Sequence, residues 1–245
     1  MGSIFRLSLH QSAERRRLLI ILLLAILPVA VAAIVSAFVG GDESHDATSL
    51  NALWANLVDA LLVAAILPIV MIALSTAAFG DEVEDRTLSY LVLKPISRVR
   101  IVLPKLLASI AFGGPLLIVS GVAATLLGLD GSVQAGVAVG VALFAGVVAY
   151  SAIFTWAGLI STRALAFGLI YVLLWEGLFS TFLDGVRYFS VRAYTLAILH
   201  GIDQNHFEAL GERAIEFPAG IAGVVAVTVL FFFLAVRRLH RMDVP

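Results

Sequence analysis

Apolar residues gather into six long runs: Leu18 to Val39, Leu57 to Phe79, Leu106 to Leu129, Ala135 to Ile160, Ala164 to Leu183 and Phe217 to Val236. None alternates with polar positions as a barrel strand would. Each is close to the roughly 20 residues that a helix needs to cross about 30 Å of hydrocarbon. The pattern predicts an all-α integral membrane protein with six transmembrane helices. Four of the runs hold no Asp, Glu, Lys or Arg. In the other two, Asp59 stands near the start of the second run, close enough to reach the interface, and Glu176 lies well inside the fifth. Only Ser161, Thr162 and Arg163 separate the fourth run from the fifth, which predicts a tight helical hairpin. Pro28, Pro68 and Pro115 predict kinks within their spans. Gly136 and Gly140 form a GxxxG pair suited to close helix packing.

Composition agrees with the pattern. The chain is 61% apolar and 13% charged, with a mean hydropathy of +1.03, which leaves too little polar surface for a water-soluble body. It has no cysteine, so disulfides, thiolate metal sites and cysteine nucleophiles are excluded. The charge distribution carries no basic footprint for nucleic acid. It does carry an orientation. With the N-terminus inside, 13 of the 16 Lys and Arg residues fall on the cytoplasmic side, and only Arg187, Arg192 and Arg213 fall outside. Both termini are therefore expected in the cytoplasm. Residues 1–17 set Ile4, Phe5, Leu7 and Leu9 against Arg6, His10, Glu14 and the Arg15 to Arg17 cluster. They read as an interfacial elbow helix or as a disordered basic tail. The first apolar run, continuing to Val39, is longer than the core of a secretory signal, so it reads as a retained membrane anchor. Residues 18–245 are expected to form a single transmembrane domain.

The stretch from Gly80 to Lys105, GDEVEDRTLSYLVLKPISRVRIVLPK, is the most informative polar segment. Asp81, Glu82, Glu84 and Asp85 crowd its front, as acids do at a helix N-terminus, and Thr87 can cap. Leu88, Leu91 and Val92 follow at i, i+3 and i+4, and Pro95 stops the helix before Arg98, Arg100 and Lys105. The result is a short amphipathic helix across the cytoplasmic face. It reads either as an interfacial anchor between spans two and three or as a docking surface for a cytoplasmic partner.

The ordered set Glu84, Arg86, Thr87, Leu88, Leu91, Pro95, Ser97, Arg98 and Lys105 resembles the signature of the ABC-2 type transporter permeases, although many members carry Gly where this chain has Arg86. The resemblance implies a membrane subunit of an exporter. It implies that the segment between spans two and three is a coupling helix on which an ATP-binding subunit docks through Glu84, Arg86, Thr87, Leu88, Leu91, Pro95 and Arg98. Two ATPase subunits would pair with two permease chains, as a homodimer or a heterodimer. ATP and Mg would be bound by those partners. The chain itself has no phosphate-binding loop, since neither Lys94 nor Lys105 follows a glycine.

Glu176 is the second candidate site. It reads as a residue of the substrate pathway, or as a carboxyl hydrogen-bonded to a neighbouring helix. An ion-coupled secondary transporter using Glu176 is the alternative function. An intramembrane enzyme is disfavoured, because HExxH and GxSxG are absent and Glu176 has no catalytic mate in the spans. The connection from Asp184 to Glu216 mixes Tyr188, Phe189, Tyr194 and Leu199 with charges, which predicts a half-buried external helix. His200 and His206 in this connection read as polar rim rather than as metal ligands.

Overall fold

The computed structural model describes residues 15–39, 47–84, 97–161, 163–179 and 184–241, and every regular element among them is helical. These are α1 (Arg15–Val39), α2 (Ala47–Leu57), a π-helical segment Val58–Ile66, α3 (Leu67–Glu84), α4 (Val99–Gly128) and α5 (Val133–Ile160). They are followed by α6 (Ala164–Tyr171), a second π-helical segment Val172–Phe179, a 3-10 turn Asp184–Phe189, α7 (Val191–Ile202), a 3-10 turn Glu208–Leu210 and α8 (Phe217–His240). Five helical stretches have the length and apolarity to cross a membrane: Leu19–Phe38, Thr48–Gly80, Val99–Gly128, Val133–Ile160 and Phe217–His240. The chain is a multi-pass integral membrane protein.

Three expectations change. The fifth apolar run forms 8 residues of α-helix and 8 of π-helix, Ala164–Phe179. At α-helical rise these residues extend about 24 Å, and the rest of the run, 180–183, lies outside the described residues. The third helix starts at Val99 rather than Leu106, because Ile101 and Val102 bury themselves with Phe79, Leu159, Ala235 and Leu239. Asp81 to Glu84 complete α3 instead of opening a new helix. The expected elbow falls on residues 1–14, outside the described residues, and Arg15 to Arg17 belong to α1. Residues 85–96, the body of the expected coupling helix, also lie outside them.

Glycines report how the helices run. Gly121 meets Leu143 and Val139, while Gly136 and Gly140 meet Val122, so α4 and α5 are antiparallel and the GxxxG pair faces that contact. Between α3 and α5, Gly146 meets Leu67 and Gly158 meets Thr76, a parallel pair. A Cβ at Gly158 would lie 2.5 Å from the Thr76 carbonyl oxygen, so the two backbones touch there. The alternation gathers Arg98, Arg100, Arg163, Arg237 and Arg238 at one end of the bundle, called here the arginine-rich end. At the far end Asp130 and Gly131 adopt positive φ, 46° and 78°, to turn α4 into α5, and Ser132 caps α5 by accepting from the Ala135 N–H.

Prolines are absorbed locally. The π-helical segment Val58–Ile66 comes directly before Pro68, whose ring displaces the carbonyl four residues back, and the Leu67 N–H reaches to the Leu62 oxygen across the widened turn. In α1 the turn before Pro28 receives help from a neighbour, since the Ser120 hydroxyl of α4 donates to the Ala25 carbonyl.

Replacing Gly158 by Ala should lower stability by about 1–3 kcal/mol, because backbone must move to admit the methyl group. Gly80→Ala, where nothing lies within 4 Å, should stay within about 0.5 kcal/mol. Thermal unfolding midpoints of the two purified variants in detergent check the contrast.

Candidate functional site

Ionisable groups sunk in an apolar bundle are costly unless paired, so they mark where the fold has spent stability for something else. Two such clusters stand at opposite ends. At the arginine-rich end, Lys105 of α4 is buried to 1% exposure and its ammonium lies 2.7 Å from the Glu82 carboxylate of α3. The same ammonium donates to the Ala78 carbonyl and sits 4.5 Å from the centre of the Phe79 ring. A cation among the last turns of α3 answers both the helix dipole and the acid at that terminus. The pair clasps α3 to α4 at the point where the Gly80 to Lys105 segment leaves the bundle.

The second cluster is a ladder that descends from the far end. Its top rung is Arg213, with a side chain 54% exposed, which donates to the Asn56 side chain at 3.1 Å and approaches Asp59 at 3.4 Å. Asp59 is fully buried in the π-helical turn Val58–Ile66. Its two oxygens take a bidentate contact from Arg192 of α7, Nε to Oδ1 at 2.8 Å and Nη2 to Oδ2 at 2.7 Å. Such forked pairing is the strong form of a guanidinium–carboxylate contact. Arg192 also donates through Nη1 to the Glu176 main-chain oxygen at 3.3 Å.

Glu176 is the bottom rung. Its carboxylate accepts from the Val191 N–H at 3.0 Å, the Arg192 N–H at 3.3 Å, the Ser190 hydroxyl and the Tyr171 hydroxyl at 3.3 Å. The Ser190 oxygen in turn accepts from the Ala193 N–H at 3.2 Å. Glu176 and Ser190 thus satisfy the open N–H groups at the start of α7, and the carboxylate faces the positive end of the helix dipole. Its oxygens are filled by protein donors, so an ion-coupling role has no support from this geometry.

Depth follows from register. On α8, Gly223 packs against Tyr194 and Phe217 against Gly201, so α7 runs antiparallel to the entry of α8. At ~1.5 Å per residue Ser190 then lies about 15 Å along the bundle axis from the level of Phe217. The helix expected to be half-buried is nearly wholly buried within the bundle: among Val191 to Leu199 only Arg192 keeps appreciable exposure.

Of the predicted docking residues, Glu84 is the last residue of α3 and Arg98 immediately precedes α4. Arg86, Thr87, Leu88, Leu91 and Pro95 lie outside the described residues. Asp59 is fully buried, covered by Arg192 and Arg213. Their pairing joins positions 133 and 154 residues apart, which no local pattern reveals. The one available signal was charge balance: an acid near a span and three arginines in the outer connection require partners. His206 binds Asp203 through Nδ1 at 2.8 Å and His200 lies 3.1 Å from the Phe207 carbonyl, contacts that close the end of α7. Among the described residues no group of three or more His, Asp or Glu is placed to hold a metal.

Lys105→Met should cost about 3–5 kcal/mol by removing the ammonium from a buried carboxylate, and the double variant Lys105→Met/Glu82→Met should recover most of the loss. Arg213→Gln, at a solvent-facing rung, should cost less than about 1 kcal/mol. Denaturation of the purified variants in mixed micelles measures all three.

Among known proteins, no curated relative matches the chain. A family model described as ABC-2 family transporter protein matches residues 13–183. That interval takes in the Glu82–Lys105 clasp, Asp59 and Glu176 together, and the all-helical, multi-pass fold is the architecture such a protein needs. The chain belongs to the ABC-2 transporter family and is a membrane component of transport rather than a catalytic one.

Proposed function

We propose that this chain is the permease subunit of an ATP-driven exporter. A separate ATPase docks on the Gly80 to Lys105 segment, with the arginine-rich end in the cytoplasm, as the excess of Lys and Arg there supports. On this reading Ala164–Phe179 is a short sixth crossing, and two permease chains and two ATPase subunits make the working complex. The observation that carries the proposal is the Glu82–Lys105 clasp at 2.7 Å. A segment that passes force between subunits needs stiff attachment. The clasp binds both of its roots, and the cluster of Phe79, Ile101, Val102, Leu159, Ala235 and Leu239 ties those roots to α5 and α8. Movement imposed on the segment by nucleotide-driven closure of the ATPases would reach α3 and α4 as one body.

The complex extracted in mild detergent from its native membrane should contain an ATP-binding chain, identified by mass spectrometry. Charge reversal by Glu84→Arg or Arg98→Glu should lower recovery of that chain about tenfold while the permease still inserts, the loss expected when a like charge faces a complementary surface. Full recovery of the ATPase with both variants overturns the docking role, and absence of any ATPase from the parent complex overturns the function.

A further inference from the structure

On α8 one face has no partner within the chain. Ile221, Val225, Val229 and Phe233 follow one another at every fourth residue, the spacing of a ridge on a helix surface, and each is between 44% and 62% exposed. The next two positions on that ridge are Arg237 and Arg241, both exposed. Arg241 ends the helix but stays on the ridge, since its N–H reaches the Arg237 carbonyl at 3.2 Å. The side of α8 that packs is another one, carrying the buried Gly220, Val224, Ala235 and Leu239. The free ridge is therefore apolar for about 18 Å and then cationic for one turn. Those cations are unbalanced. Lys105, Arg187, Arg192 and Arg213 each hold an oxygen within the fold, whereas the side chains of Arg237, Arg238 and Arg241 hold none among the described residues. Helix α8 contains no Asp or Glu, and Glu82, the buried acid at this end, is taken by Lys105. Like charges three and four residues apart destabilise a helix, and one cation would have answered the dipole at its C-terminus. The turn gains most from an anion supplied from outside the chain.

We propose that this ridge is a retention site for an anionic phospholipid: Arg237 and Arg241, with Arg238 beside them, hold the phosphate, and the acyl chains lie along Phe233, Val229 and Val225. A planar guanidinium fork matches phosphate oxygens, and the exposed apolar stretch belongs to a helix long and apolar enough to span a bilayer. Two other occupants fit less well. A second copy in the same membrane orientation would meet this one across a two-fold axis, where each residue near the axis faces its own equivalent. Arginine would then face arginine. A water-soluble partner could answer the arginines, but it would leave the apolar stretch uncovered. A molecule with an anionic head and an apolar tail matches both parts of the ridge. A zwitterionic lipid matches the tail alone, because its own ammonium offsets the phosphate. The proposal does not depend on the exporter reading.

The complex purified in mild detergent is titrated with dioleoyl phosphatidylglycerol or dioleoyl phosphatidylcholine, which share their chains and differ in head charge, and bound lipid is followed by native mass spectrometry. An arginine beside an anionic head is worth about fivefold in affinity. The parent should therefore prefer phosphatidylglycerol about 25-fold, and Arg237→Gln/Arg241→Gln should erase that preference. Arg237→Lys/Arg241→Lys, which keeps both charges and loses the forks, should retain most of it. Equal affinity of the parent for the two lipids overturns the site, and so does an undiminished preference in the glutamine variant. If that double variant cannot be purified, Arg237→Gln alone decides: a loss of about fivefold supports the site and no loss overturns it. Displacement of the lipid by millimolar inorganic phosphate would reduce the ridge to a free-anion site and overturn the lipid. The chain has no cysteine, so Val229→Cys reports on a second copy. Its failure to form a disulfide between chains in oxidised native membranes supports a lipid-covered ridge, and an efficient disulfide overturns it.

Discussion

A carboxylate in the middle of an apolar bundle has no water to answer it, and the half of this protein away from the arginine-rich end is arranged around that requirement. Glu176 would be prohibitive at its depth without donors. The donors it has are those that a helix start cannot satisfy by itself, the N–H groups of Val191 and Arg192 and the hydroxyl of Ser190. Each side removes the other's cost. Helix α7 can begin inside the apolar bundle because an acid is there to cap it, and the acid can stay because a helix begins beside it. Arg192 extends the same bargain upward to Asp59. The second span, the short helix and the returning helix are thus fastened by four polar side chains in a region otherwise built from Leu, Val, Ala and Gly.

The arginine-rich half solves a related problem with fewer parts. Acids at a helix C-terminus are poorly placed against the dipole, and α3 ends in Asp81, Glu82 and Glu84. Lys105 corrects this from the facing helix, reaching the last turns of α3 with its charge while its stem packs against apolar neighbours. The two ends differ in kind. The Glu82–Lys105 clasp is a single compact contact between adjacent antiparallel helices, whereas the ladder at the far end spreads over positions more than a hundred residues apart.

How much of this was legible in the sequence depended on the range of the interaction. Apolar runs reported the helices, because crossing lipid imposes a length that composition alone exposes. The motif through Glu84, Thr87, Leu88, Pro95, Arg98 and Lys105 led to the family, since it is local. Boundaries failed where charge and helix coexist. Arg100 and Lys105 ended the apolar run on paper, yet Val99 to Lys105 is helical because Ile101 and Val102 face a buried cluster. Helix α7 was recognised as helix, but it was expected half-buried and is nearly wholly buried. Tyr194 and Leu199 gave it an apolar face, but the glycines that receive it belong to other elements, and pairing at that distance leaves no periodic trace. The partners of Asp59 went unseen for the same reason: they lie far along the chain.

The wide turns under Asp59 and Glu176 have a geometric consequence of their own. A turn closed by an i to i+5 bond, like that from Leu67 to Leu62, holds one residue more than an α-helical turn needs. Handing that residue along the helix swings whatever lies beyond it by about 100° around the axis and about 1.5 Å along it, without any rupture of the helix itself. The bearing of each acid around its helix axis is thus set by where its wide turn stands.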